Sequence, residues 1–185
     1  KAGVTAGGPS DPIPYPAGVE KLDYEVELAV VIGRRCRNVG AADAPAYVAG
    51  YCVLNDVSAR CAQFGDGQFF RGKSFEGSCP MGPALVTPDE AGDVADLRLT
   101  SRVNGEIRQD SRTGCMTFTV PEIIEFVSHV FTLRPGDVIA TGTPAGVGVF
   151  MEPPGLLKPG DLVEVEVEGL GVLANRVVTP EEVSG

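Results

Sequence analysis

Asp23-Tyr24-Glu25-Val26-Glu27-Leu28-Ala29-Val30-Val31-Ile32 decides how this chain is read. The even positions Tyr24, Val26, Leu28, Val30 and Ile32 are all apolar. A period of two is that of a β-strand, whose successive side chains point to opposite faces. The odd positions begin Asp23, Glu25, Glu27 and turn apolar at Ala29 and Val31. One face is thus core throughout, and the other is acidic at one end and buried at the other. Glu25 and Glu27 project the same way, roughly 7 Å apart from the strand rise. Two like charges beside a buried stretch repel, and a hard divalent cation with oxygen ligands relieves that repulsion: Mg²⁺, Mn²⁺ or Ca²⁺. A solvated strand face is the simpler account of the pair taken alone. That account is preferred for Glu164 and Glu166, which lack a buried neighbourhood.

Outward from this strand, residues 1–20 are rich in Gly and Pro and read as an extended lead-in. Residues 41–48 read as a short helix, 50–57 as a second apolar strand ending at Asn55-Asp56, 58–63 as a helical turn, and 64–80 as irregular. Strands are predicted at 83–87 and 97–103. Asn104-Gly105 is a hairpin signal, with a return strand over 106–109. Residues 120–130 form the clearest helix, with Thr119 and Glu122 spaced as a capping box. Strands follow at 138–141, 161–168 and 172–178. Many strands, few helices and no βαβα rhythm predict a β-rich, mostly antiparallel α+β domain, one unit over residues 1–185.

Composition narrows the function. With 185 residues and a net charge of −10, the chain repels phosphate backbones, so nucleic acid is not the expected partner. The five cysteines are odd in number and contain no C-x-x-C pair, and there is one His. They read as reduced, core or near-core thiols of a cytoplasmic protein, and zinc is disfavoured. No apolar run approaches the ~18 residues of a membrane span.

Several residues could carry chemistry. Asp56 ends an apolar strand; it either caps the following turn or completes an oxygen triad with Glu25 and Glu27. The Gly-rich run 141–148 could present amides to an anion or be an ordinary turn. His129 sits where a helix-end His would meet the dipole, the simpler reading, with a catalytic base as the other. Gly67 to Ser74, GQFFRGKS, spells a phosphate-binding loop. Its context argues otherwise: no buried strand precedes it, and Pro80 and Pro83 prevent a long helix after Lys73.

The runs DYEVELAVVIG, GYCVLNDVSAR, GKSFEGSCPMGPALV, VNGEIRQDSRT, LRPGDVIATGTPAGVG and LKPGDLVEVEVEGLGVLANRV, in this order, resemble the fumarylacetoacetate hydrolase family. The resemblance spans nearly all of residues 1–178. It implies a mixed β-sandwich roll of that family's C-terminal type, usually a homodimer. It also implies a divalent ion, most often Mg²⁺, on Glu25, Glu27 and Asp56, with Lys73 reaching the site. It further implies Gln63 as a substrate contact and Thr143 as the residue binding the substrate's acid end. The implied substrates are 2-oxo or 2,4-dioxo acids, and the first expectation is a metal-dependent hydrolase cleaving a C–C bond of an acylpyruvate or fumarylacetoacetate-like compound. The alternative on the same scaffold is an isomerase, a decarboxylase or a lyase acting on a 2-oxo acid or ureidoglycolate. A non-catalytic metal- or ligand-binding domain and a nucleotide binder are the competitors from other classes. Two departures stand out. Many members read GKSFDTFCP, where this chain has Glu76 and Gly77 in place of Asp and Thr. Hydrolases of the family also carry a His–Glu pair on an N-terminal lid, expected to precede Lys1.

Overall fold

The computed structural model describes residues 1–183. Its strands are β1 (Ala6–Gly7), β2 (Ile13–Pro14), β3 (Leu22–Asp23), β4 (Val26–Ile32), β5 (Val48–Asn55), β6 (Ser58–Ala59), β7 (Cys79–Val86), β8 (Arg98–Val103), β9 (Glu106–Arg112), β10 (Val138–Ala140), β11 (Leu162–Val167) and β12 (Gly171–Val178). The helices are α1 (Arg60–Gly65), α2 (Phe70–Lys73), α3 (Pro88–Ala91), α4 (Val120–Val130) and α5 (Pro180–Val183). One sheet has the order β1-β7-β5-β4-β10, a second β2-β12-β11-β8-β9, and β3-β6 form a small ribbon. Among the described residues only β1–β7 and β2–β12 pair in parallel. The fold is α+β, β-rich and mixed, as the strand pattern predicted.

The alternation in β4 builds the core. Tyr24, Val26, Leu28, Val30 and Ile32 join one buried cluster with Leu99, Val103, Val163, Val165, Val167 and Leu173 of the second sheet. Each such side chain removed from water contributes roughly 1.5–3 kcal/mol. Ala29, Cys52, Leu54 and Cys79 form a smaller cluster on the opposite face of the first sheet. The acidic end of β4 departs from expectation: Asp23, Glu25 and Glu27 are 0%, 7% and 3% exposed. The reason is tertiary, since other segments bring cations and amides over that face.

Local signals translate directly where they are strong. Asn104 and Gly105 both take positive φ, 51° and 82°, and join β8 to β9, the two-residue turn whose twist suits a hairpin. Glu122 accepts from the Thr119 N–H at 2.7 Å and the Thr119 hydroxyl at 2.8 Å at the start of α4. Elsewhere the structure corrects the reading. Residues Ala44–Tyr47 form a 3-10 turn rather than an α-helix, with Pro45 near its start; Pro lacks an N–H for a longer helical ladder. The stretch read as irregular contains α2, and β7 begins at Cys79 rather than at residue 83. The lead-in supplies β1 and β2, edge strands of both large sheets. Cys36, Cys52 and Cys79 are buried, whereas Cys61 and Cys115 are exposed; all five are free.

Candidate metal centre

The acidic end of β4 is built from three directions. Glu25 and Glu27 flank Val26 at the start of the strand, and Asp56 follows the neighbouring strand β5. The Asp56 N–H donates to the Glu25 carbonyl at 2.9 Å, continuing the ladder past the end of β5. One carboxylate oxygen of each of Glu25, Glu27 and Asp56 lies within 4.8 Å of the others. Three converging carboxylates, two buried and Asp56 partly exposed, could hold a hard divalent cation through their oxygens. The protonation balance points the same way: burial, then the Asp56 charge, push the Glu27 carboxyl up to about 8. The Lys73 charge and the Gly142 N–H only partly offset this, and a bound cation would lower it further.

Lys73, at the end of α2, reaches this cluster. Its Nζ lies 2.7 Å from Glu25 Oε2 and 2.7 Å from Asp56 Oδ2. The helix comes before Lys73 and ends there, the reverse of a phosphate loop, where the helix begins after the lysine. Gly72 permits the approach: a Cβ there would sit 2.6 to 2.7 Å from Gln63 N, Cα and Cβ. Gln63 is buried, and its Oε1 accepts from Arg60 Nη1 at 2.9 Å. Thr143 stands beside the cluster in the loop after β10. Its hydroxyl donates to the Val26 carbonyl at 2.9 Å and accepts from Gln109 Nε2 at 2.7 Å. Its neighbour Gly142 donates its N–H to Glu27 Oε2 at 2.8 Å.

Four residues of this site were not singled out in the sequence. Arg60 is 3% exposed; its Nε pairs with Asp23 Oδ2 at 2.9 Å and its Nη1 with Glu25 Oε1 at 2.7 Å. Its Nη2 is buried without a partner among the described residues. The available signal was its isolation, since residues 38–59 contain no Lys or Arg. Asp23 is sealed beneath it, accepting also from Gly148 N at 2.7 Å and Val149 N at 3.0 Å. Lys1 pairs with Asp56 Oδ1 at 2.7 Å and donates to the Val57 and Ser78 carbonyls; burial holds its pKa below the ordinary lysine value. Gln109 completes the set. Asp23 shares the acidic period-two face of Glu25 and Glu27; for Lys1 and Gln109 no pattern in the sequence points to the site.

Asp56 and Lys73 lie on the wall of an open cavity of ≈ 1260 Å³. Apolar residues Leu54, Met81, Phe131 and Ile139 also line it. Thr143 borders a separate cavity of ≈ 250 Å³. Gly77 has φ +67°, and a Cβ there would meet Pro14 Cδ at 2.5 Å. The replacement of Thr by Gly thus accompanies close packing of this turn on β2. His129 lies on the exposed last turn of α4, its Nδ1 2.7 Å from the Glu125 carbonyl oxygen.

With this geometry in view, the comparisons are specific. Residues 1–178 match the model described as "Fumarylacetoacetate (FAA) hydrolase C-terminal". The chain belongs to the fumarylacetoacetate hydrolase family. This family member is 52% identical over 173 residues to "Oxaloacetate tautomerase FAHD2A, mitochondrial" of Bos taurus, a match covering 92% of this chain and 55% of that protein. Among solved structures it superposes on the fumarylacetoacetate hydrolase of Exiguobacterium antarcticum with a TM-score of 0.94 and 49% identity, over 97% of this chain and 65% of that one. It superposes on 5-carboxymethyl-2-hydroxymuconate delta-isomerase of Mycobacterium smegmatis with a TM-score of 0.88 and 44% identity, over 95% and 66%. The chain therefore spans about half the length of the curated relatives it matches. Among the described residues no helix is long and apolar enough to cross a membrane.

Proposed function

We propose that this chain forms the metal-binding catalytic part of an enzyme that moves a proton next to the keto group of a 2-oxo acid. The substrate class to test first is a 2-oxo diacid such as oxaloacetate. The observation that carries this reading is the convergence of Glu25, Glu27 and Asp56 with the Lys73 ammonium against two of them. A divalent cation bound by the three carboxylates would supply a Lewis acid for the adjacent oxygens of a 2-oxo acid. Lys73 holds a second positive charge beside the cluster, where negative charge on an enolate oxygen is stabilised. Arg60 pairs with the other Glu25 carboxylate oxygen, so both oxygens of that side chain are held by cations. Burial of these groups strengthens each interaction relative to water.

Isomerisation is favoured over C–C hydrolysis because relatives at 52% and 44% identity are named as a tautomerase and an isomerase. The hydrolase expected from the sequence keeps one support, the name of the Exiguobacterium antarcticum protein. Mg²⁺ is the expected ion, a homodimer the expected assembly, and a reducing compartment the expected setting given five free thiols. The name of the bovine relative makes a mitochondrial location as consistent with this as the cytoplasm.

The test is the decay of enol absorbance of oxaloacetate with Mg²⁺-loaded protein, alongside product analysis on an acylpyruvate. Accelerated ketonisation that disappears in Glu27→Ala supports the proposal. Release of two carboxylic acids from acylpyruvate without any tautomerase activity would replace it with the hydrolase reading.

A further inference from the structure

We propose that Gln109 is a positioning residue of the cation site, holding the peptide that joins its two glutamates. The inference rests on the reading of Glu25, Glu27 and Asp56 as cation ligands. β10 pairs with β4 only as far as Ala140 opposite Ala29. Beyond that point β4 has no strand on this side, and its polar groups are buried. The following loop substitutes for one. Thr141 N and its hydroxyl donate to the Leu28 carbonyl, Gly142 N donates to the Glu27 carboxylate, and the Thr143 hydroxyl donates to the Val26 carbonyl. The Val26 N–H also needs an acceptor, and Gln109 reaches across from β9 of the second sheet to accept from it at 3.1 Å.

Gln109 is 1% exposed, and its carboxamide is fully engaged. Oε1 accepts from Val26 N and from the Ser101 hydroxyl at 2.9 Å. Nε2 donates to Thr143 Oγ1 at 2.7 Å and to the Pro144 carbonyl at 2.9 Å. A carboxamide has two acceptor sites and two donors, so nothing remains to be satisfied. The orientation is determined as well, because a reversed amide would set its NH₂ against the Val26 N–H and its oxygen against the Pro144 carbonyl. One side chain thus fixes Val26, between Glu25 and Glu27, and also the loop that donates to Glu27. Outer partners that orient ligands typically change metal affinity by roughly 10- to 100-fold when removed.

The experiment is Mn²⁺ titration of the cation-free protein by calorimetry and electron paramagnetic resonance, with thermal melts in parallel. Gln109→Leu is expected to raise the Mn²⁺ Kd roughly tenfold or more while still melting cooperatively. Ser101→Ala removes one donor to the Gln109 oxygen but leaves its contacts to Val26, Thr143 and Pro144 in place, and is expected to bind Mn²⁺ like the unaltered protein. Unchanged Mn²⁺ affinity in Gln109→Leu would overturn the assignment; so would an equal loss in Ser101→Ala, which would make the effect general loosening. Should Gln109→Leu fail to fold, Thr143→Val decides, since it keeps volume and removes the hydroxyl linking Gln109 to the Val26 carbonyl. Weakened Mn²⁺ binding there supports the role, and unchanged binding overturns it. If the unaltered protein binds no Mn²⁺, the cation reading itself falls and this inference with it.

Discussion

The Lys73 ammonium and the Glu25 carboxylate lie 2.7 Å apart, and the same ammonium is 2.7 Å from Asp56. A buried cation shared by two acids holds them at separations where they would otherwise repel. Removing one partner of a buried pair typically costs about 3–5 kcal/mol, because the remaining charge is left uncompensated. Lys73→Met should therefore lower the melting temperature of the cation-free protein. Saturating Mg²⁺ should restore part of that loss by replacing the missing charge, yet turnover should stay about 100-fold or more below the unaltered protein. Equal melting with and without Mg²⁺ would show that ion and ammonium do not share the site.

Glu27 predicts a pH dependence with a definite sign. Its value of about 8 in the folded protein lies above the ordinary 4.5. The folded, cation-free chain thus holds a proton that the unfolded chain gives up. The stabilisation is complete below the unfolded value and is lost as pH rises towards about 8, by up to about 1.4 kcal/mol per pH unit. Melts in chelator should fall over that window, and Glu27→Gln should flatten the slope. Identical slopes in both proteins would remove Glu27 as the cause.

Cation binding should invert that trend. The ligand form of Glu27 is the carboxylate, so binding near neutral pH should release up to about one proton and strengthen as pH rises. Calorimetry with Mg²⁺ in buffers of different ionisation enthalpy counts the protons. No buffer dependence at neutral pH would contradict the protonated state assigned to Glu27.

Arg60 and Asp23 make a second buried pair, 2.9 Å apart and both under 4% exposed. Arg60→Met should destabilise the protein by about 3–5 kcal/mol. Arg60→Lys should not rescue it, because a point charge cannot address Asp23, Glu25 and Gln63 together as the planar fork does. Full stability in Arg60→Lys, measured by urea unfolding, would reduce the network to simple charge balance.

Gly72→Ala tests the support beneath Lys73. The new methyl would lie 2.6 to 2.7 Å from Gln63 backbone and Cβ atoms, which cannot simply swing away. Overpacking of this kind typically costs about 1–3 kcal/mol, and displacement of α2 should move Lys73 off its two carboxylates. The expected result is a lower kcat with a modest stability loss. A normal kcat would mean that α2 adjusts without moving its lysine.

Much of the fold was legible because its signals are short in range. The alternation at 24–32 places the core face of β4, Asn104-Gly105 makes a turn through its positive φ, and Thr119 with Glu122 starts a helix. The short turn at Ala44–Tyr47 was misread because a few helix-forming residues cannot outweigh a proline and an imminent strand. Glu25 and Glu27 stood out as an acid pair two apart, but whether that face met water was not written locally.

By itself the sequence determined that this chain is β-rich, that one face of residues 23–32 is core, and that two carboxylates share the other. The period of a strand dictates those statements without reference to any distant residue. Only the tertiary structure decided that the acidic face is sealed and what seals it. Arg60 and Lys73 approach from beyond β5, Lys1 from the chain start, Gly142 from the loop after β10, and Gln109 from the opposite sheet. Those contacts join residues 35 to 115 positions apart. A buried charge or N–H must find a partner wherever the packed sheets present one, and side-chain periodicity carries no information about which residue that is.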